Sequence, residues 1–172
     1  MSEFNMAVKE SYTYEEWEQR EQWYLQKVGE IQMPIGPTPQ DLENFANQVE
    51  RVLSIARFDW AYAKRASDRF DMLYKTQKLV LFNKLVQEGM VKADAKVTVD
   101  EKKGYVEELM QKPFKSYGKS LAELVSDSND RIIFMDTVIN ALEDKKSLIM
   151  SHASAMKTEA SLNNFSSSVP RN

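Results

Sequence analysis

The sequence predicts an all-α protein built on one long central helix, and three observations carry that prediction. Residues 39 to 88 run for fifty positions without a glycine or an interior proline. Apolar side chains in that stretch, among them Leu42, Phe45, Val49, Val52, Ala56, Ala63, Ala66, Phe70, Leu73 and Val80, recur three, four or seven apart. Only 5 Gly and 5 Pro occur in 172 residues, against 28% charged and 42% hydrophobic content, which describes a folded helical chain.

The central helix starts where the chemistry for a start is present. Thr38 can accept from the first free amides, Pro39 occupies the position whose missing N–H costs nothing, and Asp41 lies at the positive end of the dipole. A helix of that length spans roughly 75 Å, so its stripe must be covered by other helices or other subunits. Self-association into a helical oligomer is therefore expected. Leu53, Trp60, Tyr74 and Leu81 widen the seam, small residues at Ala56, Ala63, Ala66 and Ser67 allow close approach, and Asp59, Gln77 and Lys84 interrupt it. Those interruptions favour a contact among several helices over an unbroken two-stranded coiled coil.

Residues 1–37 form an acidic N-terminal arm. Thr13 with Glu16 is a capping box, and Trp17, Tyr24, Val28 and Ile31 share a face of a helix ending near Met33, before the Met33-Pro34-Ile35-Gly36-Pro37 turn. Trp17, Trp23 and Tyr24 either dock on a partner protein or cover the chain's own core. Residues 38–89 are the central helix, stopped at Glu88-Gly89. Residues 90–162 are a C-terminal helical assembly region. Within it Met90 to Lys96 is a polar loop, and Thr98 with Glu101 caps a helix from Val99 to about Gln111. Pro113 breaks that helix, and a turn or short helix over 114–118 leads to Leu121, Leu124 and Val125. The polar run Ser126-Asp127-Ser128-Asn129-Asp130 reads as a solvated face or a kink before a last helix from Arg131 to about Leu162. Its Ile132, Met135, Val138, Ile139, Leu142 and Ile149 make a broad apolar face suited to subunit assembly. Residues 163–172, rich in Ser and Asn, read as a disordered tail.

Charge is unevenly spread. Between Arg51 and Lys84 eight basic residues face three acidic ones, a local net of +5 in a chain whose total is -3. Lys64, Arg65 and Arg69 cluster within a turn and a half, with Trp60, Tyr62, Phe70 and Tyr74 among them. Cations interleaved with flat rings suit single-stranded nucleic acid. The same pattern also results when the solvated flank of a core stripe is basic.

Several chemistries are excluded or left without support. There is no cysteine, hence no disulfide, thiolate nucleophile or thiolate metal site, and the composition suits a reducing cytoplasm. His152 is the single histidine, which removes Ser–His and multi-histidine constellations. The glycines are too far apart for a phosphate loop, and carboxylate pairs such as Glu15/Glu16, Glu107/Glu108 and Asp127/Asp130 match no metal-binding motif. No enzyme activity, cofactor, metal or small-molecule substrate is expected. The acidic start, Met1-Ser2-Glu3-Phe4, is unlike a secretion signal, and no apolar run approaches a membrane span.

The order of the elements resembles one family. Ala61-Tyr62-Ala63-Lys64-Arg65-Ala66, then Lys96-Val97-Thr98-Val99-Asp100-Glu101, then Val138-Ile139-Asn140-Ala141-Leu142-Glu143-Asp144-Lys145-Lys146 with Met150-Ser151-His152, is similar to the UvsY-type recombination mediators of tailed bacteriophages over roughly residues 57 to 160. The resemblance implies a small helical protein that forms rings through its C-terminal region. It also implies binding of single-stranded DNA by the central helix, and loading of a recombinase onto strands covered by single-strand-binding protein. Lys64, Arg65 and Arg69 would then contact phosphates, Lys75 and Lys78 would extend the track, and Tyr62 or Tyr74 would stack on bases. This chain is longer than the family pattern, net negative, and carries an acidic N-terminal helix without a counterpart there. The cytoplasm of a bacterial host is the implied location. Two other classes remain open: a phage-encoded adaptor or inhibitor that engages host replication proteins through its acidic N-terminal helix, and a structural scaffolding or assembly protein.

Overall fold

The computed structural model describes residues 13–87, 91–92, 95–96, 98–114 and 118–167. Its helices are α1 (Tyr14–Glu30), α2 (Pro39–Gln87), α3 (Val99–Met110) and α4 (Leu121–Ser167). Between α2 and α3, β1 (Val91–Lys92) and β2 (Ala95–Lys96) pair antiparallel, Val91 opposite Lys96, where the sequence suggested an open loop. Residues 1–12 and 168–172 lie outside the described residues, so the reading of the extreme termini does too.

Helix starts are fixed by local hydrogen bonds. Thr13 and Glu16 close a reciprocal box, Glu16 N donating to Thr13 Oγ1 at 3.2 Å and Thr13 N to Glu16 Oε2 at 3.0 Å. Thr38 with Asp41 and Thr98 with Glu101 repeat that arrangement. The start of α4 differs from the expected one. It begins at Leu121, ten residues before Arg131, because Ser120 and Glu123 make a fourth box: Ser120 N donates to Glu123 Oε2 at 2.7 Å and Glu123 N to Ser120 Oγ at 3.3 Å. The polar run, read as a solvated face or a kink, lies inside the helix without a break and finds partners there. Ser128 Oγ donates to the Leu124 carbonyl at 2.8 Å, Ser67 Oγ donates to Asn129 Oδ1 at 2.8 Å, and Lys119 pairs with Asp127 at 2.5 Å. The helix also continues to Ser167, so the expected tail from Asn163 is helical over its first five residues.

Ser120→Ala is expected to destabilise the protein by about 1 kcal/mol at neutral pH through loss of the cap. The Ser120 amide, then its hydroxyl, hold Glu123 below its ordinary pKa of 4.5. A lowered carboxylate contributes stability above its unfolded value and loses it as pH falls through the folded one. Thermal melts followed by circular dichroism should therefore show the Ser120→Ala deficit shrinking as the pH is lowered through the depressed Glu123 titration.

The chain divides into two compact units that cut across the four expected regions, with α2 and α4 each contributing to both. Among the described residues one unit comprises 13–60 and 134–167 and the other 61–133. The first buries Trp17, Tyr24, Val49, Leu53, Met135 and Leu142 in a common core with Ile31, Phe45 and Ala56. Trp17 and Phe134 meet edge to face at 6.2 Å. Polar contacts fasten the same helices: Lys145 Nζ donates to the Ile31 carbonyl at 2.7 Å, and Lys146–Glu50 and Arg57–Glu143 pair at 3.0 and 2.9 Å. The second unit has a smaller core of Ala66, Phe70, Val106, Met110 and Leu121.

Candidate nucleic-acid interface

All seven residues expected to contact nucleic acid lie in the second unit, on α2 between Tyr62 and Lys78. Because α2 buries Ala63, Ala66 and Phe70 against its unit's interior, Lys64, Arg65 and Arg69 emerge on the solvent side and are exposed. Arg65 makes no ion pair with a described residue. Lys64 reaches back one turn to Asp68 at 3.1 Å, both side chains about half exposed or more (49% and 65%). An exposed i,i+4 pair of this kind is worth only a few tenths of a kcal/mol, so Lys64 can exchange Asp68 for another anion.

The continuation of the track differs. Lys75 pairs with Asp71 at 2.6 Å, and Lys78 pairs with Glu107 on α3. Glu107 also accepts from the Tyr74 hydroxyl at 3.4 Å, while the Lys78 ammonium lies 5.7 Å from the Tyr74 ring centroid. The hydrogen bond to Glu107 raises the Lys78 pKa, with the Tyr74 side chain adding to it. Lys78 is thus committed to an interhelical contact as much as to an incoming phosphate.

The rings of this segment are placed differently from its cations. None of the four rings that α2 contributes to this unit is exposed: Phe70 is buried, and Tyr62, Tyr74 and Phe82 are half-buried. The reason is register, since these positions fall on or beside the face that covers the core. Trp60 is likewise half-buried, packed on the core of the other unit. This side of α2 therefore exposes its cations more fully than its rings.

The other candidate residues are mostly occupied inside the chain. Trp17 and Tyr24 are 5% and 0% exposed and cannot form a docking surface, and Trp23 packs half-buried beside them. α1 thus covers its own core, one of the two roles its aromatic face allowed. Met135, Val138 and Leu142, expected at an assembly surface, are 0%, 5% and 0% exposed in that same core, and Ile139 and Ile149 are packed against it. Ile132 lies in the other unit and is half-buried. The face that sequence periodicity marked on α4 is spent within the subunit.

Two features escaped the sequence reading. Asp59, which looked like an interruption of the seam, is fully buried and bound by Arg20 and by the Tyr24 hydroxyl at 2.7 Å. Its partners lie 39 and 35 residues away, and no local signal links them. Met72, Leu79 and Val86 sit exposed on the outer side of α2 at seven-residue spacing, a signal that was legible.

Among the described residues no group of three or more His, Cys, Asp or Glu side chains could hold a metal ion, and no helix is long and apolar enough to cross a membrane. No protein-family model, characterised protein or solved structure matches the chain. The resemblance to recombination mediators therefore rests on the quoted residues alone.

Proposed function

We propose that the chain is a non-catalytic accessory protein of the recombination-mediator kind, which as an oligomer binds single-stranded DNA in the cytoplasm of a bacterial host and helps a recombinase displace single-strand-binding protein. The observation that carries this reading is the exposure of Lys64, Arg65 and Arg69 together on one side of α2, in a segment of net +5 within a chain of net -3. With the rings withdrawn, the contact is with phosphates, so binding should be strongly salt-dependent and tolerant of sequence.

Fluorescence-anisotropy titration against labelled single strands and duplexes at two salt concentrations tests it. Changing all three residues to Ala should weaken single-strand binding at least about tenfold and flatten the salt slope by about 2. Absence of binding at low salt would reject the reading. The mediator step is checked by recombinase assembly on strands already covered by single-strand-binding protein, which the wild-type chain should accelerate and the triple variant should not.

A second reading is favoured by α1, whose outer side exposes Glu15 and Glu18 beside Tyr14 (66%) and Leu25 (65%). That acidic face suits an adaptor docking on a basic protein surface. Glu15→Lys with Glu18→Lys would abolish partner binding under this reading and leave single-strand binding intact under the first.

A further inference from the structure

The last seventeen residues of α2 contain nine apolar side chains, and none of them is buried. On the inner side Leu73, Leu81 and Leu85 pack half-buried on the core of their own unit. On the opposite side Met72, Leu79 and Val86 are 61%, 60% and 48% exposed. Residues seven apart drift by only about 20° per step, so these three form a nearly straight stripe. A helix that is apolar on opposite sides belongs in an interior, and this one has covered a single side.

We propose that the stripe is the contact between two copies of this chain, with their α2 helices antiparallel about a two-fold axis at Leu79. The spacing of the stripe is the same in both directions, seven residues to either side of Leu79. Leu79 meets its own copy on the axis, and Met72 lies opposite the partner's Val86. In this register Lys75 falls opposite the partner's neutral Asn83. Between Asp71 and Gln87 no like charges fall opposite one another. Two charges near the stripe are paired within each copy, Lys75 with Asp71 and Lys78 with Glu107. A parallel pairing would stack Arg65, Asp68 and Lys75 each on itself, and like charges held face to face oppose association. The antiparallel pair is a closed, isologous contact, the commonest symmetry of homo-oligomers. It lies on α2, away from the α4 face that sequence periodicity marked for assembly, and it does not depend on the nucleic-acid reading.

The full chain contains no cysteine, so single introduced cysteines report the geometry without background. Under mild oxidation Leu79→Cys should convert most of the protein to a covalent dimer. Met72→Cys and Val86→Cys should each remain uncrosslinked alone and crosslink when mixed. Light scattering should give the wild type a multiple of 19.9 kDa, and Leu79→Asp should halve that mass while keeping the helical circular dichroism of the parent. A wild type that is monomeric at every concentration would overturn the proposal, including the case in which Leu79→Asp loses a foreign partner instead. Self-crosslinking of Met72→Cys would overturn the antiparallel register, and an undiminished mass for folded Leu79→Asp would move assembly to another surface. Anisotropy titration of Leu79→Asp separates this result from the nucleic-acid reading, because the variant retains Lys64, Arg65 and Arg69.

Discussion

Replacing Asp59 by Ala should destabilise the unit that contains it by about 3–5 kcal/mol, the usual cost of removing one partner from a buried ion pair. The Asp59 side chain is 1% exposed and Arg20 18%, so water cannot take the place of the lost carboxylate. The substitution removes the carboxylate that the Arg20 guanidinium and the Tyr24 hydroxyl bind at the junction of α1 and α2. All three tryptophans, Trp17, Trp23 and Trp60, belong to this unit. Urea unfolding followed by tryptophan emission therefore reports on it directly. The control is the triple change Asp59→Leu, Arg20→Met and Tyr24→Phe, which removes these three polar groups at once and should recover much of the loss. A midpoint for Asp59→Ala within error of the parent would show that the contact contributes little.

Leu142→Ala comes second, with an expected loss of about 3 kcal/mol. Leu142 is fully buried among residues of α1 and α2, and truncation leaves a cavity that a core of packed helices only partly closes. Leu148, six residues on and 51% exposed, should tolerate the same change within about 0.5 kcal/mol. Light scattering on both variants adds a second readout. If Leu142 is a core residue, the folded variant keeps the parent's mass, whereas loss of mass with little loss of stability would return α4 to the assembly role its periodicity suggested.

Much of the secondary structure was legible because its determinants are local. Thr13 with Glu16 and Thr98 with Glu101 announced their helices from residues three apart, and Thr38-Pro39 announced α2 to the residue. The missed start at Ser120 was equally local, since Ser120 and Glu123 have the same spacing, but the weak helix formers from Ser126 to Asp130 outweighed it in the reading. Those residues are helical because Ser67 and Lys119 supply partners that the sequence order does not reveal.

The candidate site was legible in its charges and not in its rings. Lys64, Arg65 and Arg69 are exposed, because positions flanking an apolar stripe on a helix face away from the core. Tyr62, Phe70 and Tyr74 share residue types with a stacking surface and with a core boundary, and α3 and the start of α4 decided between the two by covering that side.

By itself, then, the sequence determined that this chain is helical, where most of its helices begin, and that its positive charge gathers on α2, since capping bonds and the helical period act over three or four residues. Only the tertiary structure decided which apolar faces are spent within the subunit and which stay bare. In one unit Tyr24 and Leu142 close on α2, Asp59 finds Arg20, and Lys145 reaches the Ile31 carbonyl 114 residues away; in the other, Met72, Leu79 and Val86 stay exposed. Periodicity marks a face as apolar, but the element that covers it is chosen by contacts between segments far apart in the chain.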